Sequence, residues 1–81
     1  MPVIIYTTPT CVYCRMAADY FAKKGVGFTK VDVSSDEGAA REMVRKSHQM
    51  GVPVIEIGGE VIVGFNRPEI DRALKENGLL R

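Results

Sequence analysis

Eighty-one residues carrying a net charge of +1 at neutral pH are enough chain for one domain, residues 1–81. The small, interspersed charge excludes a nucleic-acid or anionic-membrane partner held by bulk electrostatics. Two cysteines are too few for the disulfide framework of a secreted mini-domain, and no stretch nears the roughly 20 apolar residues of a membrane span.

The chain starts Met1-Pro2-Val3-Ile4-Ile5, with no basic segment and only a short apolar run, so a soluble, cytoplasmic protein is expected. Val3 to Tyr6 reads as a buried strand, continuous and rich in β-branched residues. Pro9 holds Thr8 extended, so a helix can begin only at Thr10 or Cys11. Tyr13 to Lys24 follows with helical spacing (Ala17, Tyr20, Phe21, Lys24), and Gly25 closes it. Val26 to Val33 alternates imperfectly and is expected to be a second strand.

Ser34 and Glu37 have the spacing of a capping box, opening a helix that turns Ala40, Met43, Val44 and Ser47 inward. His48 to Gly51 is a turn. Val52 to Ile57 is expected as a strand opened by Pro53. Gly58-Gly59 suits a two-residue hairpin, since both accept positive φ, and Glu60 to Val63 is the return strand. Asn66, with Glu69 three residues on, caps a last helix whose inward face is Ile70, Ala73 and Leu74 and which Asn77-Gly78 ends. The order β-α-β-α-β-β-α predicts an α/β fold with one four-stranded mixed sheet and helices on both faces. Its first two strands are parallel. The core is expected from Val3, Ile4, Ile5, Phe21, Val31, Val54, Ile55, Ile57, Val61, Ile70 and Leu74.

The chemistry concentrates at Cys11-Val12-Tyr13-Cys14. A strand feeding a Cys-x-x-Cys at a helix start is the sequence picture of a thioredoxin-like redox site. Residues i and i+3 share a helix face, which brings the two α-carbons within disulfide reach, roughly 4.4–6.8 Å. The helix N-terminus, with its unpaired N–H groups and positive dipole end, favours a thiolate at Cys11 more than at Cys14 one turn inside. Cys11 is therefore assigned as nucleophile and Cys14 as resolving thiol, and no metal is assigned to the pair. A structural zinc needs four ligands, and only His48 could add one more nitrogen. Pro53, read from residue physics alone, is a strand-opening proline that costs one ladder bond; a cis bond, found in about 5–6% of such positions, needs further support.

Tyr6-Thr7, Cys11-Val12-Tyr13-Cys14, Gly51-Val52-Pro53 and Gly64-Phe65 together resemble the glutaredoxins, specifically short bacterial glutaredoxin-like proteins, along essentially the whole chain. The resemblance implies a thioredoxin-like fold, a cis proline at Pro53 and thiol-disulfide exchange through Cys11 and Cys14. It also implies a groove, formed by Thr10, Tyr13, Val52, Pro53, Gly64, Phe65, Asn66 and Arg67, in which glutathione or a peptide lies extended and pairs with the Val52 backbone. No bound cofactor is expected, glutathione being a co-substrate.

Three stretches depart from the family pattern. Thr8-Pro9-Thr10 lacks the usual lysine ahead of the first cysteine. Val63 to Arg67 lacks the acidic residues that hold the glutathione amino group, and Arg67 suits a carboxylate instead. Val12 replaces the common proline and restores a backbone N–H. The Gly-Phe-x-x-Pro ending is similar to the redoxins that serve ribonucleotide reductase, which thioredoxin reductase reduces. The donor is thus glutathione or thioredoxin reductase. The expected protein is a monomeric oxidoreductase acting on protein disulfides or glutathione mixed disulfides. The alternatives from other classes are an iron–sulfur cluster or metal carrier using Cys11, and a redox-sensing docking module.

Overall fold

The computed structural model describes residues 3–79. Its first strand, β1 (Val3–Thr7), sets the two faces on which everything else packs. Successive side chains of a strand point to opposite sides. Val3 and Ile5 accordingly enter one apolar cluster, and Ile4 and Tyr6 the other.

The remaining elements are α1 (Val12–Lys23), β2 (Thr29–Asp32), α2 (Glu37–Ser47), β3 (Val54–Ile57), β4 (Glu60–Val63) and α3 (Arg67–Glu76). The strands form one sheet in the order β2-β1-β3-β4, with β1–β2 parallel and the other two pairs antiparallel. The first cluster takes Ile5, Ile55, Ile57 and Ile62 from the sheet, Ala17 and Phe21 from α1, and Ile70, Ala73 and Leu74 from α3. The second is smaller: Tyr6, Val54 and Met43 of α2 are buried, and Ile4, Val31 and Val61 only half so. The expected α/β architecture is present, with α1 and α3 on one face and α2 on the other.

Four local expectations are corrected. The second strand spans only Thr29–Asp32, because Val26 is used to close α1. Gly25 N–H bonds Ala22 O and Val26 N–H bonds Phe21 O at 2.9 Å, the paired bonds of a Schellman cap, with Gly25 at φ +72°. The third strand starts at Val54, two residues later than expected. The cap of α2 is Asp36, which accepts from Ala39 N–H at 3.0 Å, rather than Ser34. Ser34 is held instead by Asp32, which takes both its N–H (2.9 Å) and its hydroxyl (2.6 Å) and whose carboxyl these bonds keep below the usual carboxylate range. Finally, Ile4, Val31 and Val61 are half-buried rather than core residues, since, among the described residues, α2 is the one helix over their face and buries only Met43 fully.

Side-chain bonds tie the helices to the sheet. Lys46 of α2 donates to Glu56 of β3 at 2.5 Å and to the Tyr6 hydroxyl at 3.1 Å, and both contacts push its pKa up, Glu56 more than Tyr6. Arg72 of α3 binds Glu60 of β4 together with Glu69 and Glu76 of its own helix.

Candidate functional site

Strand register brings the site together at one end of the sheet. Tyr6 pairs with Val54, Val54 with Val63, and Thr7 with Asp32. The chain leaving β1 toward Cys11, the Val52-Pro53 segment entering β3, and the Gly64-Phe65 segment leaving β4 therefore share that end. The Gly64 N–H donates to Pro53 O at 2.8 Å, joining the last two directly. The Val52-Pro53 bond is cis, as the resemblance implied, and Pro53 is fully buried.

Cys11 is the N-cap of α1. Its backbone is extended (φ −84°, ψ 114°), and its Sγ accepts the Cys14 N–H at 3.1 Å, the role that a serine or aspartate oxygen ordinarily plays there. The Cys11 N–H in turn donates to Thr8 O at 3.3 Å, closing the turn around Pro9. Cys11 is half-buried, whereas Cys14 is 2% exposed, and both are free thiols. Burial pushes the Cys14 thiol up, and the hydrogen bond with Cys11 adds to this; contacts with Thr7 and Thr8 oppose it in part. One sulfur is thus accessible and already serving as an acceptor, and the other is buried and held protonated.

The remaining expected site residues are placed as follows. Thr10 and Tyr13 are exposed, Tyr13 by 62%. Val52 is half-buried, packed against the Tyr6–Met43–Val54 cluster. Gly64 takes φ +81°, a conformation that a side chain would strain. Asn66 caps α3, accepting from Glu69 N–H at 3.4 Å, as read from the sequence. Arg67 lies over the Tyr20 ring, 4.7 Å from its centroid, and Phe65 packs edge-on to the same ring at 5.9 Å. The Tyr20 hydroxyl donates to Asp71 of α3, which raises its pKa. Tyr20 therefore links the helix that carries both cysteines to the segment that carries Phe65 and Arg67.

Two features escaped the sequence reading. The Tyr20–Asp71 contact spans 51 positions, and nothing in local spacing announces it. A recess of about 350 Å³ opens on the β2 side of the cysteine pair, between the Thr7-Thr8-Pro9 loop, Arg15 and Asp19 of α1, and Lys30 and Asp32 of β2. Both cysteines line it, but none of Tyr13, Val52, Gly64 and Arg67 does. The recess and the expected groove thus flank the thiols from opposite sides, since β2 and β3 are the two neighbours of β1. Lys30 and Asp32, two positions apart and so on one face of a strand paired with the end of β1, were the available clue.

The glutaredoxin family model matches residues 3–62. An uncharacterized glutaredoxin-like 8.6 kDa protein of the rubredoxin operon of Clostridium pasteurianum is 44% identical over 72 residues, covering 89% of this chain and 96% of that protein. Among solved structures, a thioredoxin-like protein in a point-mutant form superposes with a TM-score of 0.85 at 23% identity, covering 90% of this chain and 94% of the other. The glutaredoxin-like NrdH-redoxin of Escherichia coli, described as having a thioredoxin-like activity profile, superposes with a TM-score of 0.80 at 28% identity, covering 89% and 93%. The fold is thioredoxin-like, and family and fold together support thiol-disulfide oxidoreductase chemistry. With a matching model over most of its length, an intact Cys-x-x-Cys at the mouth of α1 and a cis proline beside it, the chain belongs to the glutaredoxin family.

Proposed function

We propose that this protein is a dithiol oxidoreductase that reduces protein disulfides or glutathione mixed disulfides, with Cys11 as nucleophile and Cys14 as resolving thiol. The Cys11 thiolate attacks one sulfur of the substrate disulfide, forming a mixed disulfide and releasing the other sulfur as a thiolate. Cys14 then loses its proton and attacks Cys11 Sγ. The substrate's second thiol leaves, and the protein keeps the Cys11–Cys14 disulfide; two electrons have passed to the substrate. The groove residues Thr10, Tyr13, Val52, Pro53, Gly64, Phe65, Asn66 and Arg67 hold the substrate. The protein acts as a cytoplasmic monomer, where reducing conditions supply both thiols.

The observation that carries this reading is the asymmetry of the pair. Cys11 Sγ caps the helix and is reachable, while Cys14 is buried with its thiol pushed up. Such a Cys14 stays protonated until the mixed disulfide forms beside it. Cys11→Ser is expected to abolish disulfide reduction, and Cys14→Ser to accumulate a mixed disulfide visible as an intact-mass adduct. Full activity in Cys11→Ser rejects the assignment. Coupling turnover to NADPH, once through glutathione and glutathione reductase and once through thioredoxin reductase alone, identifies which of the two donors sustains the cycle.

A further inference from the structure

Between α2 and β3, beside the cis proline, the backbone offers an unpaired peptide position at Val52. Gly51 is fully engaged: its N–H donates to Gln49 Oε1 at 2.7 Å, and its carbonyl accepts from Gln49 Nε2 at 2.9 Å. Pro53 has no N–H, and its carbonyl is taken by Gly64. Among the described residues, the Val52 N–H and C=O make no hydrogen bond. Val52 precedes a proline and is therefore held in extended backbone. Its side chain packs against the Tyr6–Met43–Val54 cluster.

The Gln49 amide acts as an in-built strand partner for Gly51. The two contacts fix the orientation of the amide, because exchanging its O and N would set donor against donor and acceptor against acceptor. A Cβ on residue 51 would lie 2.8 Å from Gln49 Oε1, so the amide occupies the space that only glycine leaves open. Gln49 is itself anchored. His48 adopts the left-handed conformation (φ 60°) at the end of α2, and Ser47 Oγ lies 3.0 Å from Gln49 O. The Gly51 carbonyl and the Val52 N–H belong to one planar trans peptide and point to opposite sides. Holding that carbonyl from one side therefore turns the Val52 N–H to the other.

We propose that Gln49 is a positioning residue that aims the Val52 peptide groups at one residue of a disulfide-bearing peptide. It thereby favours substrates with a peptide backbone over disulfides without one. The proposal rests on the exchange reading above and adds to it a substrate preference and the residue that sets it.

A single-turnover experiment tests both. Pre-reduced protein is mixed with excess disulfide, either an N- and C-capped cystine peptide or 2-hydroxyethyl disulfide. Formation of the Cys11–Cys14 bond is followed by alkylation and mass shift, so no external donor is needed. Gln49→Ala is expected to raise the half-saturating concentration of the peptide relative to that of hydroxyethyl disulfide by roughly tenfold, the worth of one or two net hydrogen bonds. The maximal rate with the peptide should be unchanged. Gly51→Ala, which displaces the amide, should give the same ratio, and the double variant should add nothing. An equal shift for both disulfides, an unchanged ratio in folded Gln49→Ala, or full additivity overturns the assignment. Wild-type protein that peptide and hydroxyethyl disulfides both fail to oxidise removes the exchange reading itself, and Gln49's role with it.

Discussion

Removing the ammonium of Lys46 while keeping its apolar stem, as in Lys46→Met, should cost about 2 kcal/mol. The side chains of Lys46 and Glu56 are 22% and 17% exposed, and the Tyr6 hydroxyl is a second acceptor. A hydrogen bond to a charged group contributes about 1.5–3 kcal/mol net, an exposed ion pair about 0.2–1, and breaking a fully buried pair costs about 3–5. At one-fifth exposure the value falls between the last two. In a domain of this size about 2 kcal/mol lowers Tm by roughly 8–16 °C. Urea unfolding of reduced wild type, Lys46→Met, Glu56→Gln and the double variant gives the coupling directly, with about 1–2 kcal/mol expected. Arg41 and Glu37, 3.9 Å apart and 81% and 95% exposed, serve as the control pair, for which no measurable change is expected. Because folding raises the Lys46 pKa, its contribution is complete below the unfolded lysine value of about 10.4 and is lost as pH rises through the folded one. The gap between wild type and Lys46→Met should therefore hold at neutral pH and close in strong alkali. A coupling no larger than that of the control pair would refute the reasoning.

Two further outcomes follow from the geometry. Burial holds the Cys14 thiol above its unfolded value, so reduced protein should keep the full contribution of this group below pH about 8.5 and lose it as pH rises toward the folded value; thermal melts of reduced wild type and Cys14→Ala against pH should converge on the alkaline side. Gly58 sits at φ +56° with the Asn77 side chain inside the space of a Cβ, so Gly58→Ala should destabilise by about 1–2 kcal/mol in urea unfolding, whereas a change within error would show that the turn relaxes freely.

Much of the architecture was legible because most elements carried a local signal. The continuous β-branched run of β1, the glycine pair of the hairpin and the Asn66 cap each act within a few residues, which is the range over which spacing conveys geometry. The cysteines were legible for the same reason, since three positions on a helix are one turn. Competition between equivalent local signals was harder to read. The capping-box spacing pointed to Ser34, but Asp32 engages Ser34 and Asp36 caps α2 instead. Depth of burial was misjudged at Ile4, Val31 and Val61, whose residue type says apolar but cannot say how thick the layer above them is. Contacts that join distant segments, such as Tyr20 with Asp71 or Lys46 with Glu56, depend on topology and left no trace in sequence spacing. The family resemblance, rather than residue physics, supplied the cis bond at Pro53.

The unequal cladding of the sheet has a mechanical consequence. Two helices lie across one side and interlock through Tyr20, but the lone helix on the other side keeps only Met43 in deep packing and relies on a single half-buried lysine as its rivet. Local opening begins where few apolar contacts must be broken, so α2 is expected to lift before α1 and α3. It ends at Ser47, next to the segment bearing Gln49 and Val52, and each such excursion would briefly slacken that wall of the proposed substrate groove while the thiol-bearing helix stays seated.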